Sequence, residues 1–329
     1  MSPVRETASF QELEPFRRLL TAYCYRMLAS PYDAEDAVQE TFIRAWQGLS
    51  RLDDRAGMRP WLYRIATNVC LDMLKSRNRR ALPTSVAPAA NGREWDASHD
   101  LAMGTPRPEA TWVEPVPDGL IASAKADPAD AVVERESIRL AFIAALQDLQ
   151  PRQRAVLILR DVLRWKAEEV ATLLDTSTDA VNSSLRRARA GMDRADLDAA
   201  PAQPRELDLK LLDRYVEAFE RYDVDALVTL LAEDATLTMP PFELWLQGVD
   251  DITRFLAAMR SEGGRDRAVT LAANGCPALA VYRPNADSGQ LDAFGIQVLE
   301  CAGGRIVAMH AFLDAGLFAV FGLPLRFEG

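Results

Sequence analysis

Side chains suited to contact with nucleic acid are concentrated in one helix-length segment of the chain. They are Thr178, Asp179, Asn182, Ser183, Arg186, Arg187 and Arg189. Amide groups pair with adenine edges, and guanidinium groups pair with guanine edges or phosphates. The apolar residues between them recur at helical spacing, at Val181, Leu185, Ala188 and Met192. This period predicts an amphipathic helix whose outward face either contacts DNA or is an ordinary solvated surface.

A second short helix and a turn position that segment. Val170, Ala171 and Leu174 end an amphipathic helix, and residues 175–177 form a turn before the next helix. Ser177 is expected to cap the second helix, because its hydroxyl accepts a hydrogen bond from an unpaired backbone N–H. The spacing is typical of a helix-turn-helix, which places its second helix in the DNA major groove.

Another set of candidate DNA contacts lies nearer the N-terminus. Pro60 marks the start of a helix through WLYRIATNVCLDMLKSRNRR, with Trp61 expected in the core. Arg64 and Asn68 are one turn apart on it and are candidate DNA contacts. The basic cluster at its end consists of Lys75, Arg77, Arg79 and Arg80. We expect the cluster to contact phosphates, although basic residues also stabilise a helix C-terminus.

An acidic helix is predicted over residues 33–46. Its apolar stripe consists of Val38, Phe42, Ala45 and Leu49. Asp36, Gln39 and Glu40 lie elsewhere around the helix, and the acids in the first turn suit the helix dipole. These three side chains are either solvent-facing or part of a surface that binds another protein.

Charge and apolar periodicity divide the 329 residues into four parts. The net charge of −10 is distributed as +3 over residues 1–82, −5 over 83–133, zero over 134–199 and −8 over 200–329. The first and third parts are predicted helical domains, and the second is an acidic, Pro-rich linker. The fourth part alternates helical and strand-like segments, which predicts an α+β domain with a largely antiparallel sheet.

Composition excludes several classes of protein. An apolar content of 49% and an aromatic content of 8% exclude wholesale disorder. The four cysteines are scattered singly and lack metal-ligand spacing, so we expect a reduced, cytoplasmic protein with no metal or other cofactor. No apolar stretch has the length of a membrane span or the pattern of a signal peptide, and we expect no membrane partner.

The fourth part contains residues that suit a ligand pocket. Trp245, Tyr282, Phe294 and His310 are the candidates, although ordinary core packing accounts for each of them. His310 and Asp314 also form an imaginable acid/base pair, but no nucleophile motif or metal set accompanies them. We therefore expect no catalytic residues.

Three motifs together resemble the extracytoplasmic-function (ECF) sigma factors of bacterial RNA polymerase. They are DAEDAVQETFIRAW, PWLYRIATNVCLDMLKSRNRR and the segment LQDLQPRQRAVLILRDVLRWKAEEVATLLDTSTDAVNSSLRRARAGM. The remainder, with DRYVEAFERYDVDALVTLLAEDATLTMPP and FLDAGLFAVFGLP, looks like the SnoaL-like domain of one ECF subset. TWVEPVPD in the linker also looks like the actinobacterial G-type members of that subset.

The resemblance implies two all-α modules, a sigma region 2 bundle and a region 4 helix-turn-helix, and a C-terminal α+β cone domain of the SnoaL/NTF2-like type. Asp36, Gln39 and Glu40 would contact the β and β′ subunits of the polymerase core. The contacts near Arg64 and the basic cluster would engage the promoter −10 element, and those of residues 178–189 the −35 element. The third domain would regulate these modules, with or without an unknown small-molecule ligand, and a separate anti-sigma factor is not certain.

Two departures from the family pattern stand in the helix-turn-helix. Asp175 replaces the usual glycine of the turn, and aspartate tolerates the left-handed backbone expected there. Asn182 replaces a basic residue, which implies fewer phosphate contacts or an altered −35 preference. Two alternatives remain: a helix-turn-helix regulator that acts without polymerase, and a bifunctional chain whose last domain is an enzyme.

Overall fold

The computed structural model describes residues 11–49, 57–76, 79–92, 104–108, 111–121, 135–192, 205–258 and 266–327. The chain folds into two compact units. The first combines Met1–Arg80 with Gly119–Asp198, and the second combines Ala81–Asp118 with Ala199–Gly329. Most of the segment expected to be a separate linker therefore belongs to the unit that contains the C-terminal domain.

The N-terminal half of the first unit is a bundle of three helices. After a 3₁₀ turn at Glu14–Phe16, these are α1 (Arg17–Leu28), α2 (Pro31–Gly48) and α3 (Met58–Lys75). The Ser30 hydroxyl caps α2 by accepting a hydrogen bond from the Asp33 N–H at 3.3 Å. The apolar stripe predicted for α2 is buried at Val38, Phe42 and Ala45. Helix α3 ends at Lys75, so Arg79 and Arg80 lie beyond it.

The C-terminal half of this unit is also helical. A single turn at Asp118–Ile121 (α4) precedes α5 (Leu140–Gln147), α6 (Pro151–Leu157), α7 (Ala167–Leu173) and α8 (Thr178–Met192). Helix α6 continues into a π-helical turn at Ile158–Val162, a geometry that is rare outside functional or strained sites. The helix-turn-helix prediction is confirmed: Asp175 has a left-handed φ of 51°, and the Ser177 hydroxyl accepts from the Ala180 N–H at 3.2 Å.

The two halves of the first unit pack against each other. The rings of Tyr63 on α3 and Trp165 before α7 have centroids 5.1 Å apart. Arg26 of α1 donates to the Ser137 hydroxyl at 2.8 Å, and Arg154 of α6 donates to the Met27 carbonyl. Both arginine side chains are buried, so the contact between the halves is polar as well as aromatic.

The second unit contains a six-stranded sheet covered by helices. Its helices are α9 (Arg205–Glu220), α10 (Val224–Val228), α11 (Val249–Ala258) and α12 (Leu317–Val320). Its strands are β1 (Leu231–Thr238), β2 (Trp245–Gln247), β3 (Arg267–Ala273), β4 (Cys276–Pro284), β5 (Leu291–Ala302) and β6 (Arg305–Phe312). The sheet order is β2-β1-β6-β5-β4-β3. Only the β1–β6 pair is parallel among these strands, so the largely antiparallel sheet is confirmed.

The core of the second unit lies between the helices and one face of the sheet. Leu212 and Tyr215 of α9 and Phe255 of α11 pack there with Leu299 of β5 and Met309 of β6. Strand positions alternate between the two faces, so Val298 and His310, which pair in register, point to the opposite face. Within the described residues, no helix is long and apolar enough to span a membrane, and no cluster of potential metal ligands occurs.

Candidate nucleic-acid and protein interfaces

Helix α8 presents the predicted polar surface. Asp179, Asn182, Arg186 and Arg187 are exposed, whereas Thr178 and Ser183 are half-buried. The apolar residues of the other face are buried at Val181, Leu185, Ala188 and Met192. The helix is therefore fixed by its inner face, and its outer face carries the hydrogen-bonding groups that can read base edges.

Arg189 of α8 has its guanidinium paired with a carboxylate outside the helix, whereas Arg187 donates to Ser184 of the same helix. Arg189 donates two hydrogen bonds to Asp161, at 2.9 and 2.7 Å. Asp161 lies in the π-helical turn after α6, so the ion pair ties the end of α8 to that turn. Sequence periodicity does not reveal this partner, since a π-helical turn changes the direction of every side chain it contains.

On α3, Arg64 and Asn68 are both exposed, as expected for contacts to an external partner. Lys75 lies at the end of the same helix and its ammonium contacts Asp72 at 2.8 Å. The hydrogen bond that Lys75 donates, together with its charge, holds the pKa of the exposed Asp72 below its usual value. Arg77 lies outside the described residues.

Arg79 and Arg80 have separate environments. Arg80 is buried and donates to the carboxylate of Asp33, in the first turn of α2, at 3.0 Å. Its guanidinium therefore offers no surface to DNA in this conformation. Arg79 is half-exposed and forms an ion pair with Asp148, beside the end of α5. The described members of the cluster, Lys75, Arg79 and Arg80, therefore have separate carboxylate partners.

The three candidate protein contacts on α2 come together at a groove between α2 and α3. The groove has a volume of about 390 Å³ and is lined by Asp36, Gln39, Glu40, Ile43, Arg44, Val69, Asp72 and Met73. Ile43 is 46% exposed, which is unusual for a large apolar side chain at the centre of an acidic surface. Glu40 is paired with Arg44 at 2.7 Å. Sequence reasoning did not single out Ile43, although it falls one turn after Gln39.

Arg154 is a deeply buried cation between the halves of the first unit and, like Arg26, it is 3% exposed. It donates to the Met27 carbonyl and also to the Gln147 carbonyl, the latter at 3.1 Å. Burial lowers its pKa to about 10, while the nearby Asp148 carboxylate acts in the opposite direction. Of these carbonyl partners, that of Met27 lies in the other half, so separation of the halves would expose that contact to water while the bond to Gln147 remains.

The four pocket candidates of the second unit have different contacts. Trp245 is half-buried at the sheet edge, and Phe294 lies beneath the guanidinium of Arg283, 3.6 Å from the ring centroid. Tyr282 is buried and donates to the Pro324 carbonyl at 3.0 Å.

His310 is buried inside the sheet. Its Nδ1 lies 2.9 Å from the Thr238 hydroxyl, and its Nε2 lies 3.6 Å from a Glu300 oxygen. Tyr215 on the helix-covered face instead donates to Gln297 at 3.1 Å, and burial raises its pKa. A pocket built from the four candidates stays a prediction.

Part of the expected linker lies along edge strand β2. The Trp245 indole donates to the Ala87 carbonyl at 2.8 Å, and the Ala90 N–H donates to the Trp245 carbonyl at 2.9 Å. Asn91 and Gln247 exchange two further hydrogen bonds, each 3.0 Å long. Of these bonds, only the one between Ala90 and Trp245 joins two backbone groups, so this stretch covers the edge of β2 without adding a strand to the sheet.

The TWVEPVPD stretch is anchored at two more points. Trp112 is 2% exposed, and its indole donates to the Pro241 carbonyl at 3.1 Å. Val116 and Asn274 exchange two hydrogen bonds of 2.9 and 3.1 Å. This stretch is thus docked on the C-terminal domain of the same chain.

Comparisons with known proteins agree with this architecture. Residues 13–80 match the family model of Sigma-70 region 2, residues 139–192 match Sigma-70 region 4, and residues 212–309 match a SnoaL-like domain. The sequence is 46% identical to the ECF RNA polymerase sigma factor SigG of Mycobacterium tuberculosis H37Rv, over 94% of this chain and 82% of that protein. It is 28% identical to SigJ of the same strain, over 96% of this chain and 94% of SigJ.

A solved structure supports the same fold. The crystal structure of M. tuberculosis SigJ superposes with a TM-score of 0.60 and 24% identity, covering 96% of this chain and 99% of that one. This likeness extends over almost the whole chain. The chain belongs to the ECF family of RNA polymerase sigma factors, and it confers promoter recognition on the polymerase in transcription initiation.

Proposed function

We propose that the chain recognises its promoter through two separate surfaces on the first unit. The exposed face of α8, centred on Asn182 and Arg186, reads the −35 element, and the exposed Arg64 and Asn68 of α3 contact the −10 element. The observation that carries this assignment is the capped, inwardly fixed α8, which presents amide and guanidinium groups together on its outer face.

The polymerase core is the proposed partner of the groove between α2 and α3. Asp36, Gln39 and Glu40 line it together with the exposed Ile43. An apolar side chain surrounded by acids suits a partner helix with a basic edge and an apolar centre. The acidic surface would also repel DNA phosphates, which keeps this side of the bundle available for protein.

Promoter binding requires the two halves of the first unit to separate. A compact body of about 160 residues has a diameter of about 40 Å. The −10 and −35 elements are about 25 base pairs apart, which is about 85 Å at about 3.4 Å per pair. The closed unit is too small to contact both elements together, so we infer that the halves part when the polymerase and DNA bind.

The C-terminal domain is proposed to regulate this step by holding the linker. Residues 87–92 are hydrogen-bonded to the edge strand β2. Trp112 and Val116 are hydrogen-bonded to Pro241 and Asn274. A linker held in this way is not available to follow two separating modules or to occupy a channel of the polymerase. That a small-molecule ligand of the C-terminal domain alters its contact with the linker stays a prediction.

Run-off transcription with purified bacterial RNA polymerase core tests the proposal. The full chain is compared with Arg186→Ala, Ile43→Glu and Trp112→Ala variants, and with a Glu217→Gln control on α9. Promoter-specific transcripts that are lost with Arg186→Ala and Ile43→Glu, and changed in yield with Trp112→Ala, support the assignments. Transcripts that do not respond to Arg186→Ala or Ile43→Glu refute the assigned surfaces, and an unchanged yield with Trp112→Ala refutes regulation through the linker.

A further inference from the structure

One half-exposed ion pair joins the end of the N-terminal bundle to the helix-turn-helix half. The Arg79 guanidinium contacts the Asp148 carboxylate, and the side chains are 50% and 41% exposed. Arg79 follows the end of α3, and Asp148 is the C-cap of α5. The pair therefore exists only while the two halves of the first unit are together.

Asp148 occupies a position that does not favour a carboxylate. The C-terminal end of a helix carries partial negative charge, so an acid at the C-cap destabilises α5 unless a cation lies beside it. Arg79 supplies that cation by direct contact, and the buried Arg154 is also close enough for its pKa to respond to Asp148. The carboxylate thus lies among guanidinium groups from both halves.

The other described members of the basic cluster have partners of a different kind. Lys75 contacts Asp72 one turn away on the same helix, and Arg80 is buried against Asp33 within the bundle. Separation of the halves leaves both of these pairs intact. The ion pair of Arg79, in contrast, joins it to a carboxylate of the other half.

We propose that Asp148 occupies, in the closed unit, the place on Arg79 that a phosphate of the promoter DNA takes in the open one. Carboxylates and phosphates are both oxyanions that bind the same donor edge of a guanidinium, so one arginine cannot serve both fully. The proposal rests on the proposed contact between the basic cluster and DNA. It adds that Asp148 competes with the DNA phosphate for the Arg79 guanidinium.

Competition couples DNA binding to the separation of the halves. DNA that binds Arg79 removes one contact that closes the unit, and closure removes one contact to DNA. The two effects are equal in free energy, because both describe the same linked equilibrium. The free, closed chain should therefore bind DNA more weakly than it would without the Asp148 carboxylate.

The test measures binding of the full chain to a fluorescein-labelled 20-base-pair duplex of mixed sequence, by anisotropy at several salt concentrations. Asp148→Asn and Asp148→Ser are expected to tighten binding roughly two- to fivefold, the range that a half-exposed ion pair supports. Arg79→Ala is expected to weaken binding and to abolish the effect of Asp148→Asn. Glu217→Gln removes the same charge from α9, where its partner is Arg221, and controls for net charge.

Each contrary result has a separate meaning. If Asp148→Asn tightens binding equally in the Arg79→Ala background, the gain comes from net charge alone and the competition is overturned. If Arg79→Ala weakens binding but neither Asp148 variant tightens it, the competition fails while the DNA contact stands. If Arg79→Ala has no effect, Arg79 does not bind phosphate, and both the contact and the competition are refuted.

Discussion

The rings of Tyr63 and Trp165 meet at an interplanar angle of 57°, with centroids 5.1 Å apart, and join the region 2 and region 4 modules into one closed unit. The guanidinium of Arg59 lies over both rings, 5.8 and 5.9 Å from their centroids. Trp165 follows the π-helical turn, and its N–H donates to the Leu159 carbonyl at 2.9 Å. The irregular turn thus has a structural role, since it orients the tryptophan toward the other module.

Removing the contact between the Tyr63 and Trp165 rings should loosen the closed unit without unfolding either module. A buried aromatic pair contributes about 0.5–1.5 kcal/mol beyond the burial of its surface. We expect Trp165→Ala to increase hydrogen exchange on α1 and α6, where the halves meet, and a double-mutant cycle with Tyr63→Leu to give a coupling energy in that range. A coupling energy near zero would mean that the rings are neighbours without holding the modules together.

Arg186 and Arg189 should behave differently although they lie on the same helix. Arg186→Ala should weaken −35-dependent transcription by roughly 1–3 kcal/mol if its guanidinium reads a base edge. Arg189 is committed to Asp161, so Arg189→Ala should mainly lower the stability of the module, by about 0.2–1 kcal/mol. Transcription from promoters with single −35 substitutions, measured beside thermal unfolding, separates the two roles. Equal promoter defects from both variants would contradict the distinction.

Arg80 should matter for stability rather than for DNA affinity. Its guanidinium is buried against Asp33, and removing one partner of a buried ion pair costs about 3–5 kcal/mol. We expect Arg80→Ala to lower the urea midpoint of unfolding, whereas Arg64→Ala on the exposed face of α3 should leave it unchanged. If the Arg80→Ala protein is as stable as the unmodified chain but binds DNA more weakly, Arg80 contacts the promoter and the stability role is wrong.

Low pH should weaken the hold of the C-terminal domain on the linker. Asp251 accepts a hydrogen bond from the Gly92 N–H at 2.8 Å, and this bond, together with Arg254, lowers the pKa of Asp251. A carboxyl whose pKa is lowered by folding stabilises the folded contact at pH values above its ordinary pKa. That stabilisation is lost as the pH falls through the lowered pKa of the folded state.

The Asp251→Asn variant tests the same contact at neutral pH. It should raise hydrogen exchange at residues 87–92 and remove the acid-induced rise that the unmodified chain is expected to show. Thr253→Ser, on the same helix, serves as a control that keeps the charge. Unchanged exchange in Asp251→Asn would mean that the edge of β2 holds the linker without help from this carboxylate.

The local features of the site were predictable from the sequence, whereas its long-range partners were not. Ser177 as a cap and Asp175 in left-handed backbone follow from rules that involve neighbouring residues. Arg80 was expected to contact phosphate, whereas in the closed unit its guanidinium is buried against Asp33. This partner lies 47 residues away in sequence, so no local pattern reveals the ion pair. The limits of α3 were overestimated for the same reason, since basic residues continue after the helix ends at Lys75.

The second unit gives a similar division. The strand-like segments of this part were predicted from their apolar pattern, but β2 has only three residues and follows two prolines, so no such pattern reveals it. The linker was expected to be separate because its prolines and acids suppress periodicity. Its attachment depends on hydrogen bonds to the edge of β2 and to Asn274, which composition does not encode.

The separation of the two promoter-binding modules is the central claim, and a distance measurement tests it most directly. The four native cysteines are buried, so Arg18→Cys on α1 and Arg152→Cys on α6 can be labelled selectively with a donor and acceptor dye. The free chain should show high energy transfer, and addition of polymerase core and promoter DNA should lower it as the modules move apart. Energy transfer that stays high in a complex actively producing transcripts would contradict the account.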